Sequence, residues 1–240
     1  MSIRDLTIVV PAYNEARRIE STLEKLLAYG TGRFDRFEVI VVDDGSSDGT
    51  SDVVKKRFGD RVRVIRQGRG GKGAAVRTGV FASSTTWLMF VDADLSIPIT
   101  EFERLAPHSD VNPIVIGSKR APGSDIEYPA GRRFFGGPGQ WVIALFVVRG
   151  FHDTQCGFKL FRTDVAQELF RAQKIDGFGF DFEVLFLAGR VGHGVSEVPV
   201  RCEHQLGSTV RIKSYLIVLR EVATVVWNRL RGAYPSRRRA

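Results

Sequence analysis

Residues 86–96 read TWLMFVDADLS. The run from Trp87 to Val91 is apolar throughout, the pattern of a strand covered on both faces, and such strands belong to parallel sheets with helices on either side. It empties into two carboxylates, Asp92 and Asp94, with Ala93 between them. Alternate residues share a face, so both carboxylates are expected to project into one cleft. Two adjacent anions repel unless a positive group sits near them. A hard divalent cation, Mg2+ or Mn2+, would answer that need and would bridge to a diphosphate. An Asx turn with a helix cap is the alternative, since aspartate is common after strands.

Outward from this strand the chain alternates. Strands are predicted at Leu6–Val10, Phe37–Val42, Val62–Arg66 and Ile114–Ser118. Helices are predicted over 15–29, with Ile19, Leu23, Leu26 and Leu27 at helical spacing, and over Thr50–Phe58 and Gly73–Ser83. Thr100 and Glu103 have capping-box spacing. This alternation specifies an α/β fold, a mostly parallel sheet with helices on both faces. Ligands of such sheets bind beyond the carboxyl ends of the strands. The candidate segments are therefore Pro11–Glu15, Asp43–Ser46, Gln67–Lys72, Asp92–Asp94 and Lys119–Arg120. The second half is less regular. A Gly-, Pro- and Arg-rich loop over 124–139 precedes an apolar segment, a strand-like Asp153–Phe161, a helix over Phe180–Gly192, a strand over 195–202 and a C-terminal helix from Ile212. Without repeats or a linker, residues 1–240 read as a single domain in two halves, 1–118 and 119–240.

Each strand-end segment has two readings. Asp43 and Asp44 can accept hydrogen bonds from a ribose or a base, or can serve the Asp-Gly turn that follows them. In PAYNE (Pro11–Glu15), Pro11 ends the ladder, Tyr13 offers a stacking face and Glu15 opens the helix. Gly68, Gly70 and Gly73 match G-x-G-x-x-G between a strand and a helix, a dinucleotide-binding pattern. They stand in the third strand–helix turn rather than the first, and that reading leaves the aspartate pairs without a joint purpose. The same loop can instead bring Arg69 and Lys72 to a phosphate.

The chain has 240 residues and a formal net charge of +8, which suggests an anionic partner. Zinc-finger spacing and RNA-binding aromatic signatures are absent, so no nucleic acid is expected. Cys156 and Cys202 form neither a disulfide framework nor a CxxC pair, which points to a reducing compartment. Nothing at the N-terminus reads as a secretory signal, and no window reaches the ~20 apolar residues of a membrane span. The four histidines, His108, His152, His193 and His204, show no metal-ligand spacing.

In this order and spacing, PAYNE, VVDDGSSDGT (Val41–Thr50), RGGKGAAVRTG (Arg69–Gly79) and FVDADLS (Phe90–Ser96) resemble the nucleotide-binding half of glycosyltransferase family 2, of the GT-A fold. DTQCGFKLF, FGFDFEVLFLAGRVG and EVPV extend the resemblance to the polyprenyl-phosphate branch, most of all to dolichyl-phosphate β-glucosyltransferases. The resemblance implies that Pro11, Ala12, Tyr13, Glu15, Asp43, Asp44, Lys72, Asp92 and Ala93 bind the nucleotide. It implies that Asp92 and Asp94 form the DxD metal pair, Asp94 being the stronger candidate ligand. Lys119 stands where relatives usually carry arginine, with Arg120 beside it, and Arg132 and Arg133 match an arginine pair that meets the acceptor phosphate. Asp181 and Glu183 line up with carboxylates that orient the site, or act as base toward a hydroxyl acceptor.

The implied reaction is a single inverting displacement that moves a sugar from a nucleotide sugar to a polyprenyl or dolichyl phosphate. A UDP-sugar is the favoured donor and GDP-mannose the alternative. Residues 1–118 would be the nucleotide-sugar-binding half and 119–240 the acceptor half. A family 2 transferase using a saccharide hydroxyl, and a dinucleotide-binding oxidoreductase, are the competing functions. Apolar residues at Tyr215, Leu216, Leu219, Val222, Ala223, Val226 and Trp227, followed by arginines to Arg239, predict either a helix packed on the core or a peripheral anchor on the cytoplasmic face of a membrane.

Overall fold

The computed structural model describes residues 3–126, 143, 145–203 and 212–235. Seven strands form one sheet: β1 (Asp5–Ala12), β2 (Arg36–Asp44), β3 (Arg63–Gln67), β4 (Trp87–Val91), β5 (Ile114–Ser118), β7 (Phe158–Arg162) and β8 (Val195–Pro199). Their order is β3-β2-β1-β4-β7-β5-β8. β7 runs antiparallel to both its neighbours and every other pair is parallel. The short β6 (Asp125–Ile126) and β9 (Arg201–Cys202) pair separately.

Alternation along the strands builds two cores. Ile8 and Val10 face one side of the sheet and Val9 the other; in β4, Met89 opposes Leu88 and Phe90. One face is covered by α1 (Ile19–Gly30), α2 (Thr50–Phe58) and α4 (Phe102–Leu105). The other is covered by α3 (Lys72–Ala82), α5 (Thr163–Ala172), α6 (Phe180–Val191) and α7 (Ile212–Leu230). A side chain such as Ile8, 0% exposed, contributes roughly 1.5–3 kcal/mol by leaving water. β4 is buried at all five positions, as its unbroken apolar run requires.

The chain steps from β1 to β2 to β3 in one direction, then returns to place β4 on the other side of β1. This reversal opens a crevice beyond the carboxyl ends of β1 and β4, where such sheets take their ligands. Three local expectations need correction. β1 pairs with β2 as far as Ala12, so Pro11 lies inside the strand; only the ladder to β4 stops earlier, at Val9. α1 starts at Ile19, because residues 13–18 are drawn into a turn by other partners. The Thr100–Glu103 capping box is not formed: Glu103 accepts from Tyr29 and Arg33 instead.

Candidate active site

Two strand ends are laced into one wall. The backbone N–H groups of Asn14, Glu15 and Ala16 donate to Ser46 Oγ at 2.9 Å, Thr50 Oγ1 at 2.9 Å and Asp48 Oδ2 at 3.0 Å. Asn14 Oδ1 accepts the Ser47 N–H at 2.9 Å. PAYNE and the turn after β2 thus hold each other. Glu15 does not open the helix; its carboxylate pairs with Arg18. Tyr13 remains 43% exposed. The Arg69 guanidinium lies 3.2 Å from its ring centroid, in a cation–π stack.

Asp43 and Asp44 both point into protein. Asp43 accepts from Ser46 N–H at 2.8 Å and from the Ser51 hydroxyl. Burial pushes its carboxyl up, but these bonds and nearby Arg66 bring it below the usual range. Asp44 accepts from Gly70 N–H and Gly71 N–H, each at 2.8 Å, from Gln67 Nε2 at 2.8 Å and from Arg69 at 3.2 Å. Gly71 sits at φ +110°, and a Cβ there would stand 2.5 Å from the Asp176 carbonyl oxygen. The glycine loop is therefore shaped by Asp44. Two amides that a dinucleotide pyrophosphate would need are already turned onto that carboxylate.

β4 ends at Val91, so Asp92 and Asp94 lie just past it in a turn, with Leu95 at φ +44°. The strand alternation nevertheless persists in burial: Ala93, Leu95 and Ile97 are buried while Asp92, Asp94 and Ser96 face the open side. Lys72 Nζ lies 2.7 Å from Asp92 and 3.9 Å from Asp181. Asp181, 3% exposed at the start of α6, also pairs with Lys159 of β7, which donates to the Cys156 carbonyl at 2.6 Å. Burial raises the Asp181 carboxyl against the pull of both lysines. Burial opposes the charge on Lys72, yet Asp92 and Asp181 hold its pKa above the usual lysine range. Lys119 is raised in the same way, with Asp153 the first of its stabilising neighbours. Burial pushes Asp92 up, and Lys72, together with Lys119 and Lys159, brings it below the usual range. The floor of the crevice is thus a run of alternating charges through Lys119, Asp92, Lys72, Asp181 and Lys159.

Lys159 has no counterpart in the sequence reading. Its only signal is a lysine inside the apolar run Phe158–Phe161, a position that must bury the ammonium or break the strand. Gly157 is a second: a Cβ there would run into the Asp92 carboxylate. Glu183 is not placed as a base, since its oxygens accept from Lys174 N–H at 3.0 Å, Ile175 N–H at 2.9 Å and Tyr234 Oη at 2.5 Å. The Arg120 side chain is exposed. Arg132 and Arg133, like His204, lie outside the described residues. His152 and His193 pair with Glu197 and Glu168, each at 2.8–2.9 Å.

Among the described residues, no cluster of three or more His, Cys, Asp or Glu side chains could hold a metal ion. The Asp92–Asp94 pair still fits a divalent cation of the Mg2+ type, which takes one or two carboxylates and completes its shell with phosphate oxygens and water. Asp92 is engaged by Lys72, whereas Asp94 uses one oxygen to accept the Ser96 N–H at 3.1 Å and is the freer ligand.

Residues 7–170 match glycosyl transferase family 2. The chain is 38% identical over 220 residues to a dolichyl-phosphate beta-glucosyltransferase of Drosophila melanogaster, covering 82% of this chain and 66% of the fly protein. To the Homo sapiens protein of that name it is 33% identical over 251 residues, covering 96% of this chain and 78% of the human one. Glucosyl-3-phosphoglycerate synthase of Mycobacterium tuberculosis, solved with Mn2+, UDP and phosphoglyceric acid, superposes with TM-score 0.70 at 19% identity over 94% of this chain and 78% of that one. Mannosyl-3-phosphoglycerate synthase of Rubrobacter xylanophilus gives TM-score 0.71 at 19% identity, over 95% and 74% of the two chains. At those identities the superpositions establish the GT-A fold alone. The sequence matches carry more, because they span the aspartate pairs, the glycine loop and β7, and they set the dinucleotide reading aside: this chain belongs to glycosyl transferase family 2.

Proposed function

We propose that the protein transfers glucose from UDP-glucose to a polyprenyl phosphate of the dolichyl type, with inversion at the anomeric carbon. The reading rests on one observation above others: the crevice past β1 and β4 gathers Tyr13, Lys72, Asp92, Asp94 and Lys119 beside a carboxylate-braced glycine loop, in a chain whose relatives are dolichyl-phosphate beta-glucosyltransferases. Tyr13 stacks the base, exchanging Arg69 for it. Asp92 and Asp94 would hold Mg2+ or Mn2+, which supplies charge neutralisation to the departing diphosphate. Lys72 contributes a second positive charge on the same side.

The acceptor phosphate has its second pKa near ~6 and is a dianion at neutral pH, so it attacks without a protein base. It needs positioning and charge compensation, the roles proposed for Lys119, Arg132 and Arg133. This agrees with the state of the two carboxylates considered as a base: Glu183 is saturated and Asp181 is locked between two lysines. The test is transfer from radiolabelled UDP-glucose, with Mn2+, to dolichyl phosphate or to a panel of saccharides. Label in the organic phase supports the proposal. Label only in saccharides would move the protein to the hydroxyl-acceptor reading.

The same proposal places the protein on a membrane, at the cytoplasmic face. No helix of the described residues is long and apolar enough to cross one. α7 turns Val222 and Val225 into the core, so part of the predicted stripe is structural. Its outer face carries Leu219, Ala223, Trp227 and Leu230, of which Trp227 is 56% and Leu230 75% exposed. Arg220, Arg229 and Arg231 flank that face, each worth about 1 kcal/mol near an anionic surface. Trp227→Glu should abolish co-sedimentation with anionic vesicles. Truncation at Gly232 is a poor test, since it removes Tyr234, which is 5% exposed and bonded to Glu183. Wild-type protein that fails to bind such vesicles at low salt would overturn the placement.

A further inference from the structure

Residues 173–179, between α5 and α6, are held from two sides. On one side they grip the donor loop. The Asp176 carbonyl accepts the Ala74 N–H at 3.2 Å, and its carboxylate pairs with Arg77 at 2.7 Å. Both partners sit on α3, whose first residue is Lys72, the partner of Asp92. On the other side the segment is anchored by carboxylates that the reaction does not use. Glu183 takes the N–H groups of Lys174 and Ile175, and Glu221 of α7 accepts the Gly179 N–H at 2.8 Å. α7 is the helix whose outer face carries Trp227 and Leu230.

We propose that Glu221 is a positioning residue for donor binding: by holding Gly179 it fixes the 173–179 segment against α3, and so ties the placement of the glycine loop and Lys72 to the seating of the C-terminal helix. Glu221 touches neither the crevice aspartates nor Lys72. Its reach to them runs through one hydrogen bond to Gly179, the short segment to Asp176, and the two links from Asp176 to α3. Each step is a hydrogen bond or ion pair rather than loose packing, so loss of the first bond loosens the segment at its Gly179 end, while Glu183 still holds Lys174 and Ile175, and weakens the fit of Asp176 against Gly71 and Ala74. Glu221 is half-buried, and that burial holds its carboxyl above the usual range. The exposed outer face of α7 means that whatever that face rests on biases the same helix, and hence the donor site.

The inference rests on the donor reading of the crevice, and the experiment separates the two. Amide hydrogen exchange over residues 70–76 needs no nucleotide. In Glu221→Ala, and in Glu221→Asp, which keeps the charge but shortens the side chain by one methylene, exchange there should quicken about tenfold, the scale of one lost hydrogen bond to a charged group. Glu221→Gln, which keeps an acceptor oxygen in place, should restore the wild-type rate. UDP affinity with Mn2+ present, measured by calorimetry, should weaken about tenfold in the Ala and Asp variants and recover in Gln, and in transfer assays the donor KM should rise with little change in kcat. A folded Glu221→Asp variant with wild-type exchange over 70–76 overturns the coupling. Wild-type protein that binds no UDP overturns the donor reading, while the exchange result still decides whether Glu221 reaches the loop.

Discussion

Asp43 and Asp44, at the end of β2, are 1% and 2% exposed, whereas the Asp92 side chain, past the end of β4, is 36% exposed. The first pair is saturated. Its oxygens accept backbone N–H groups, serine and glutamine side chains and an arginine, all from the protein itself. Among the described residues, the second pair pairs with one lysine and accepts one backbone N–H. A carboxylate whose bonds are filled by its own chain builds shape. A carboxylate left on the open side of an alternating segment has capacity for a ligand. The two pairs therefore divide the work: Asp44 moulds the glycine loop, and under the proposed function Asp92 and Asp94 would face the donor.

The sharpest break of that comparison is at Asp94. Asp94→Asn removes an anionic oxygen from the open pair without touching a core contact. Turnover should fall by about 10²–10³, the scale of losing one transition-state charge stabiliser, with the thermal midpoint nearly unchanged. The assay is transfer from UDP-glucose at saturating Mn2+, repeated for the wild type in excess chelator. Full activity of the variant, or of chelated wild type, would remove the metal role from this pair.

Gly157→Ala probes the same pair from behind. Its new Cβ would push into the Asp92 carboxylate from the backbone of the segment leading into β7, and the Asp92 N–H to Gly157 carbonyl bond, 3.1 Å, leaves little room to retreat. Displacing a reacting group by about 1 Å can cost roughly 10² in rate, so activity should drop by that order while the sheet persists. A variant with wild-type turnover would mean that the position of Asp92 is not critical.

What the sequence made legible follows from the range of the forces involved. β4, β5 and α2 lie where they were predicted, because unbroken apolar runs and a Gly-bounded amphipathic segment are decided locally. The crevice was legible too, since parallel strands deliver their carboxyl ends to one edge. The use of each carboxylate was not. Asp44 is satisfied by residues more than twenty positions away, and Asp-Gly spacing says nothing of that. Lys159 hides in a strand because alternation alone would send a lysine to solvent. Here it turns inward to Asp181 and the Cys156 carbonyl instead. Glu221 stands among the apolar residues of α7 with no local signal of a partner, and its meaning comes from Gly179, forty-two residues earlier.

The smallest expected effect comes from the saturated pair, at Asp43. Asp43→Asn is nearly isosteric. Oδ1 can still accept the Ser46 N–H, and the Ser51 hydroxyl, which now donates to Oδ2, can rotate to accept from the new amide. The Ser46 N–H keeps its acceptor and Ser51 keeps one hydrogen bond, so the cost at neutral pH should be only about 1 kcal/mol, the difference between a charge-assisted and a neutral hydrogen bond. The pH dependence carries the sharper signature. Asp43 is depressed in the folded state, so its contribution is fully present above its unfolded pKa of about 3.9 and is lost as pH falls through the lower folded value. The asparagine variant lacks that titration. Urea unfolding from pH 6 down to pH 3 should therefore show the wild-type advantage constant at first and then shrinking as the pH falls below about 3.9. Parallel curves across that range would show that the Asp43 charge is not what fastens the turn, and would erase the distinction between a saturated pair and an open one.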